Sequence, residues 1–161
     1  MSNFIKIFST NSAAILPKLG TMDSAGADLS CIEPFALEPG DVRVVDTGLI
    51  MQPPRGFRID IRPRSGLAAK HGVTVLNSPG TIDRDYCGPE DTIKVILYRS
   101  PSAEGVCYFN AGDRVAQMVL TKTYTWNWTI QTTSDFAKTL NRSGLGSTGT
   151  SPRELNERST S

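Results

Sequence analysis

Phe57-Arg-Ile-Asp-Ile61 alternates apolar and charged residues with a period of two. Phe57, Ile59 and Ile61 fall on one face, and Arg58, Asp60 and Arg62 on the other. A strand with one buried face reads this way. Pro63 blocks its continuation, and Pro53-Pro-Arg-Gly56 sets off its start. Further short apolar or alternating runs lie on both sides: Ile5-Lys-Ile-Phe8, Val42-Arg-Val-Val45, Val73-Thr-Val-Leu76, residues 93–98, Val106-Cys-Tyr-Phe109, residues 115–120 and residues 123–129. Pro39-Gly-Asp41 and Ala111-Gly-Asp113 add turn signals between them. Residues 66–71 alone read as helix, of one or two turns. Many short strands with regular punctuation predict an all-β domain: a β-sandwich, jelly roll or barrel.

The chain has 161 residues, one domain's worth, enough to bury about two-thirds of its unfolded surface. It is 39% hydrophobic and 20% charged, in the ordinary range for a soluble globular protein. A formal net charge of +1 argues against a nucleic-acid binder that works by neutralising phosphates. It leaves room for a nucleotide pocket, which needs only a few locally placed arginines. Cys31, Cys87 and Cys107 cannot all pair within one chain, and free thiols in a reducing cytoplasm are the expectation. No apolar run approaches 18 residues and no export signal is visible, so neither a membrane span nor export is expected.

The densest chemistry lies in Asn77-Ser-Pro-Gly-Thr-Ile-Asp-Arg-Asp-Tyr-Cys-Gly88. One amide, two carboxylates and a phenol occupy a turn-rich ribbon, punctuated by Pro79-Gly80 and Gly88-Pro89. It is flanked by the apolar runs at 73–76 and 92–97. A loop held by flanking strands fixes side chains against a small ligand. Asp83 is the candidate to take a proton. By spacing alone it is as readily a turn-capping Asp, Tyr86 a ring on a sheet face, and Asn77 a turn residue.

With an Asn six residues before its first Asp, this segment resembles the third motif of the trimeric dUTPases. Four further segments resemble that family's other motifs, in the family's order: Ser24-Ala-Gly-Ala-Asp-Leu29, Pro63-Arg-Ser-Gly-Leu-Ala68, Gly112-Asp-Arg-Val-Ala-Gln117 and Arg142-Ser-Gly-Leu-Gly-Ser-Thr-Gly149. The resemblance implies a jelly roll assembled as a homotrimer, with sites at subunit contacts. It also implies hydrolysis of dUTP to dUMP and pyrophosphate with Mg²⁺, keeping dUTP low and supplying dUMP for dTTP synthesis.

The residue roles follow from the same resemblance. Asp83 is the general base, a role that typically contributes ~10²–10⁴ in rate. Tyr86 lies beneath the deoxyribose and leaves no space for a 2′-hydroxyl. Asn77 reads the uracil edge, helped by the backbone of Gly80, Thr81 and Ile82. Arg64, Ser65 and Gly66 meet the phosphate chain, and so does the amide of Gln117. Asp28 orients the water shell of a Mg²⁺ held mainly by substrate phosphates, without binding it directly. Asp113 and Arg114 are expected to form a structural charge pair. His71 has no catalytic partner in the sequence, and a satisfied structural role is expected for it.

Residues 1–139 form the expected β domain, 140–149 a mobile closing arm and 150–161 a disordered tail. Arg142, Gly146, Ser147 and Thr148 of the arm would close over the γ-phosphate, with Arg142 assisting catalysis. The arm is not a P-loop, because Thr150 stands where a lysine is required. Three features depart from the family. Leu145 replaces the Phe that stacks on uracil, with fewer residues between it and Arg142. Cys87 stands where Arg is common, and Pro89-Glu-Asp91 lengthens the ribbon. An alternative function is a nucleotide-gated protein-binding module using the same pocket. A dCTP deaminase of related fold needs a different catalytic set and is disfavoured.

Overall fold

The computed structural model describes residues 4–130. In chain order the elements are β1 (Lys6–Ser9), β2 (Lys18–Leu19), β3 (Gly26–Ser30), β4 (Phe35–Leu37), β5 (Val42–Asp46), β6 (Leu49–Gln52) and β7 (Phe57–Arg62). Then follow α1 (Ser65–His71), β8 (Val73–Val75), β9 (Gly80–Ile82), β10 (Lys94–Arg99), β11 (Cys107–Phe109) and β12 (Arg114–Lys122). α1 is the single helix among the described residues, and no helix there is long and apolar enough to cross a membrane.

β12 is the centre of an antiparallel five-stranded sheet in the order β2-β3-β12-β7-β9. β10 lies between β5 and β8 in a three-stranded sheet, and β1–β6 and β4–β11 form two further pairs. Leu29, Ile59, Ile61, Val115 and Met118 of the larger sheet join Val45, Val73, Val95 and Leu97 of the smaller one in a single buried cluster. The architecture is therefore an all-β sandwich of the jelly-roll type, as expected.

The predicted strand at 57–61 is present as β7, with Ile59 and Ile61 in the core. On the opposite face Arg62 is exposed as alternation suggested, but Asp60 is not. Asp60 is 1% exposed, because Arg58 and Arg62 reach over it from two residues on either side and Thr121 closes on it from β12.

The polar ribbon also differs from a simple hairpin between its flanks. β8 pairs with β10 as expected, but Gly80–Ile82 leaves that sheet and adds to the edge of β7 in the other. The run at 123–129 is not a strand: Thr123 donates its N–H to the Gly56 carbonyl, and residues 123–130 find no ladder among the described residues. Among the described residues, 125–130 are grouped apart from the sandwich, and there the Trp126 and Trp128 rings meet edge-on at 4.7 Å.

Candidate functional site

The sequence-predicted residues gather in two places. The first is built where β3 and β12 lie side by side. Their register sets Gln117 across from Asp28 on one side and from Arg62 of β7 on the other. The Asp28 carboxylate accepts from two guanidiniums, Arg64 Nε at 2.8 Å and an Arg114 terminal nitrogen at 3.0 Å. Arg64 also donates to the Arg114 carbonyl at 3.2 Å. Gln117 Nε2 donates to the Pro63 carbonyl at 2.8 Å. Gly26 is required for this placement: a Cβ there would stand 2.6 Å from Gln117 Oε1.

Arg64 is the N-cap of α1, and Ser65 and Gly66 are exposed in its first turn, where backbone N–H groups have no intrahelical acceptor. Arg64 and Arg114 thus hold one carboxylate, with the Gln117 amide beside it in register and open N–H groups in the helix turn that follows Arg64. Polyphosphate oxygens need donors of this kind. Arg114 was missed as a member of this group. The expected Asp113–Arg114 pair does not form, because Asp113 is held in the turn before β12 while Arg114, the first residue of that strand, reaches Asp28. Asp113 instead accepts from the Asn110 N–H at 2.7 Å, closing its turn.

The second place is the ribbon. Gly80, Thr81 and Ile82 pair with Ile61, Asp60 and Ile59. Asn77 folds back over Gly80 closely enough that a Cβ there would lie 3.3 Å from its Nδ2. Asp83, Arg84 and Asp85 make an exposed turn, closed by the Tyr86 N–H on the Asp83 carbonyl. They line an open groove of about 740 Å³ with Gln52, Gly56, Phe57 and Thr123. Tyr86 is partly exposed and donates its hydroxyl to the Thr92 carbonyl at 3.3 Å. Gln52 is a second residue that sequence reasoning missed. It lies far from any motif, yet it shares the groove with Asp83 and donates to Cys87 Sγ at 3.1 Å.

These two places stand at opposite ends of β7. Asp83 follows Ile82, so it extends the register towards Arg58, whereas Arg64 lies two residues beyond Arg62. At ~3.3 Å per residue the offset along the strand is about 20 Å. Within one chain, Asp83 and Arg64 therefore do not converge. Between them the buried Asp60 carboxylate binds Arg58 at 2.8 Å, Arg62 at 3.0 Å and Thr121 at 2.9 Å. Burial pushes its pKa up, but the hydrogen bonds from Arg58, Arg62 and Thr121 overcome this and hold it below the usual carboxylate range.

Arg142, Leu145, Gly146, Ser147 and Thr148 lie outside the described residues, as do the expected arm and tail. His71 is exposed rather than packed, contrary to the expectation of a satisfied structural histidine. It ends a helix whose last turn faces solvent.

Comparison with known proteins decides the family. The family model described as dUTPase matches residues 12–150. The chain belongs to the dUTPase family. It is 42% identical over 147 residues to the deoxyuridine 5'-triphosphate nucleotidohydrolase of Solibacter usitatus, covering 90% of this chain and 95% of that protein. It is also 42% identical over 139 residues to that of Maricaulis maris, covering 84% and 88%. Among solved structures, a variant of the phage 80alpha dUTPase superposes with a TM-score of 0.77 at 21% identity, covering 91% of this chain and 99% of that one. Another variant of the Staphylococcus bacteriophage 80alpha dUTPase, with dUpNHpp, superposes at 0.75 over 92% of this chain. The dUTPase family thus accounts for the five motifs as well as for the sandwich.

Proposed function

We propose that the chain hydrolyses dUTP to dUMP and pyrophosphate, working as a cytoplasmic homotrimer whose sites are shared between copies. The observation that carries the shared site is the opposite placement of Asp83 and Arg64 along β7. A base about 20 Å from the phosphate donors serves one substrate only if the donors come from a neighbouring copy. The family supports the chemistry.

Asp83 takes a proton from water as the water oxygen attacks the α-phosphorus, and the bond to the bridging oxygen breaks to release pyrophosphate. Tyr86 and Asn77, with the backbone of Gly80, Thr81 and Ile82, hold deoxyribose and uracil at the ribbon. Arg64, Ser65, Gly66 and Gln117 of the neighbouring copy bind the phosphate chain. Arg142, Leu145, Gly146, Ser147 and Thr148 close over it.

Mg²⁺ fits this arrangement as a companion of the substrate. No group of three His, Cys, Asp or Glu suited to hold a metal occurs among the described residues, and both Asp28 oxygens already accept from arginines. Asp28 therefore suits the water shell of an ion carried by the phosphates, whose charge the ion would neutralise. The phage phi11 dUTPase coordinates a structural Mg(II) ion.

The test is pyrophosphate release from dUTP, UTP, dTTP and dCTP under one set of conditions. Turnover of dUTP alone is expected. Equal turnover of UTP would overturn the sugar assignment. Binding of dUTP without turnover would favour the nucleotide-gated protein-binding module instead.

A further inference from the structure

Arg99 ends β10 and is 3% exposed. Its guanidinium donates to the Leu37 carbonyl at 2.6 Å and to the Glu104 carbonyl at 2.7 Å. The ion pairs among the described residues do not include it, so its charge meets carbonyl dipoles and no carboxylate. Its Nε is the one buried side-chain polar atom among the described residues that lacks a partner. The two carbonyls meet only part of the desolvation cost of this buried cation, and a bound anion would offset the rest.

A cavity of about 570 Å³ opens beside it, between the end of α1 and the loop after β10. Lys70 and His71 stand on the helix side, and Ser100 and Ser102, with hydroxyls 2.8 Å apart, on the loop side. Glu104 is the single acid in the lining. The cavity is preformed: Ser100 N–H donates to the Gly72 carbonyl at 2.8 Å and Ala103 N–H to the Ser100 carbonyl at 3.1 Å. Gly72, at φ 62°, packs so closely that a Cβ would lie 3.2 Å from Ser100 Cβ. A helix C-terminus normally repels anions, but the Gly72 N–H caps the Ala68 and Leu67 carbonyls here, and Lys70 and His71 offset the remainder.

We propose that this cavity binds a small oxyanion of the phosphate class, with Arg99 supplying the buried charge and Lys70, Ser100 and Ser102 the accessible donors. The site is separate from the Arg64 group, from which it is divided by the length of α1, about 10 Å.

Inorganic phosphate is the probe, with chloride at equal ionic strength as its control. Two local signals report binding: the nitrogen resonance of Arg99 Nε–H, and the alkylation rate of Cys107, which lines the cavity, read by peptide mass spectrometry. Phosphate is expected to shift the first and slow the second, and chloride to do neither. Lys70→Ala with Ser102→Ala, both exposed and compatible with folding, is expected to weaken the response about tenfold. Arg64→Gln is expected to leave it unchanged. An equal response to chloride, no response at all, or a response lost in Arg64→Gln but kept in the double variant would each overturn the proposal.

Discussion

Arg64 and Asp28, 36 positions apart in sequence, are joined by a hydrogen-bonded ion pair of 2.8 Å, and Arg114 holds the other Asp28 oxygen at 3.0 Å. One carboxylate thus orients two guanidiniums while keeping its remaining lone pairs for water. Asp28→Asn is expected to raise the Mg²⁺ concentration for half-maximal turnover about tenfold, as loss of an outer partner of a metal does. A Mg²⁺ titration of dUTP hydrolysis checks this; an unchanged midpoint would detach Asp28 from the metal.

Asp83→Asn is expected to bind dUTP normally and lose roughly 10²–10⁴ in kcat. On the proposal that Asp83 and Arg64 serve a site from different copies, inactive Asp83→Asn and Arg64→Gln chains that are unfolded and refolded together should regain activity. Each refolded alone should stay inactive. Absence of any recovery in the mixture would count against shared sites.

Gly26→Ala pushes on the Gln117 amide from 2.6 Å, and the side chain must leave the Pro63 carbonyl to make room. KM for dUTP should rise about tenfold, with a smaller change in the inhibition constant of dUMP, the product lacking the β and γ phosphates. Equal changes for dUTP and dUMP would place Gln117 away from the phosphates.

Asp60→Asn removes the charge that Arg58, Arg62 and Thr121 share, and should cost about 1.5–3 kcal/mol in urea unfolding at neutral pH. The native pKa of Asp60 is depressed, so its contribution is present above the unfolded carboxylate value and is lost as pH falls through the native one. The stability gap between the two proteins should therefore close below about pH 4. A gap that stays constant down to pH 2 would refute the assignment.

Leu145→Phe is expected to tighten dUTP capture by ~1–3 kcal/mol through base stacking, lowering KM for dUTP. Steady-state kinetics on both proteins decide it.

How much of this was legible follows from residue types. β7 announced itself by period, and Ile59 and Ile61 went to the core. Gly26–Ser30 is legible as a motif but not as a strand, because Gly, Ala, Asp and Ser are poor strand formers, and only long-range pairing with β12 makes them one. The ribbon's motif is plain, but its partner is not: pairing of Thr81 with Asp60 is a long-range ladder contact at the edge of the larger sheet that no local pattern encodes. Arg114 meets Asp28 only through the pairing of β12 with β3, which its neighbour Asp113 in the sequence does not signal. Gln52 had no motif to mark it, and only the groove brought it to Asp83.

The six-residue span of β7 has a consequence for measurement. On the proposed assignment, a lone molecule carries a proton acceptor and a phosphate cradle that never meet, so specific activity should collapse on dilution. The rate should then rise faster than linearly with protein concentration until association is complete.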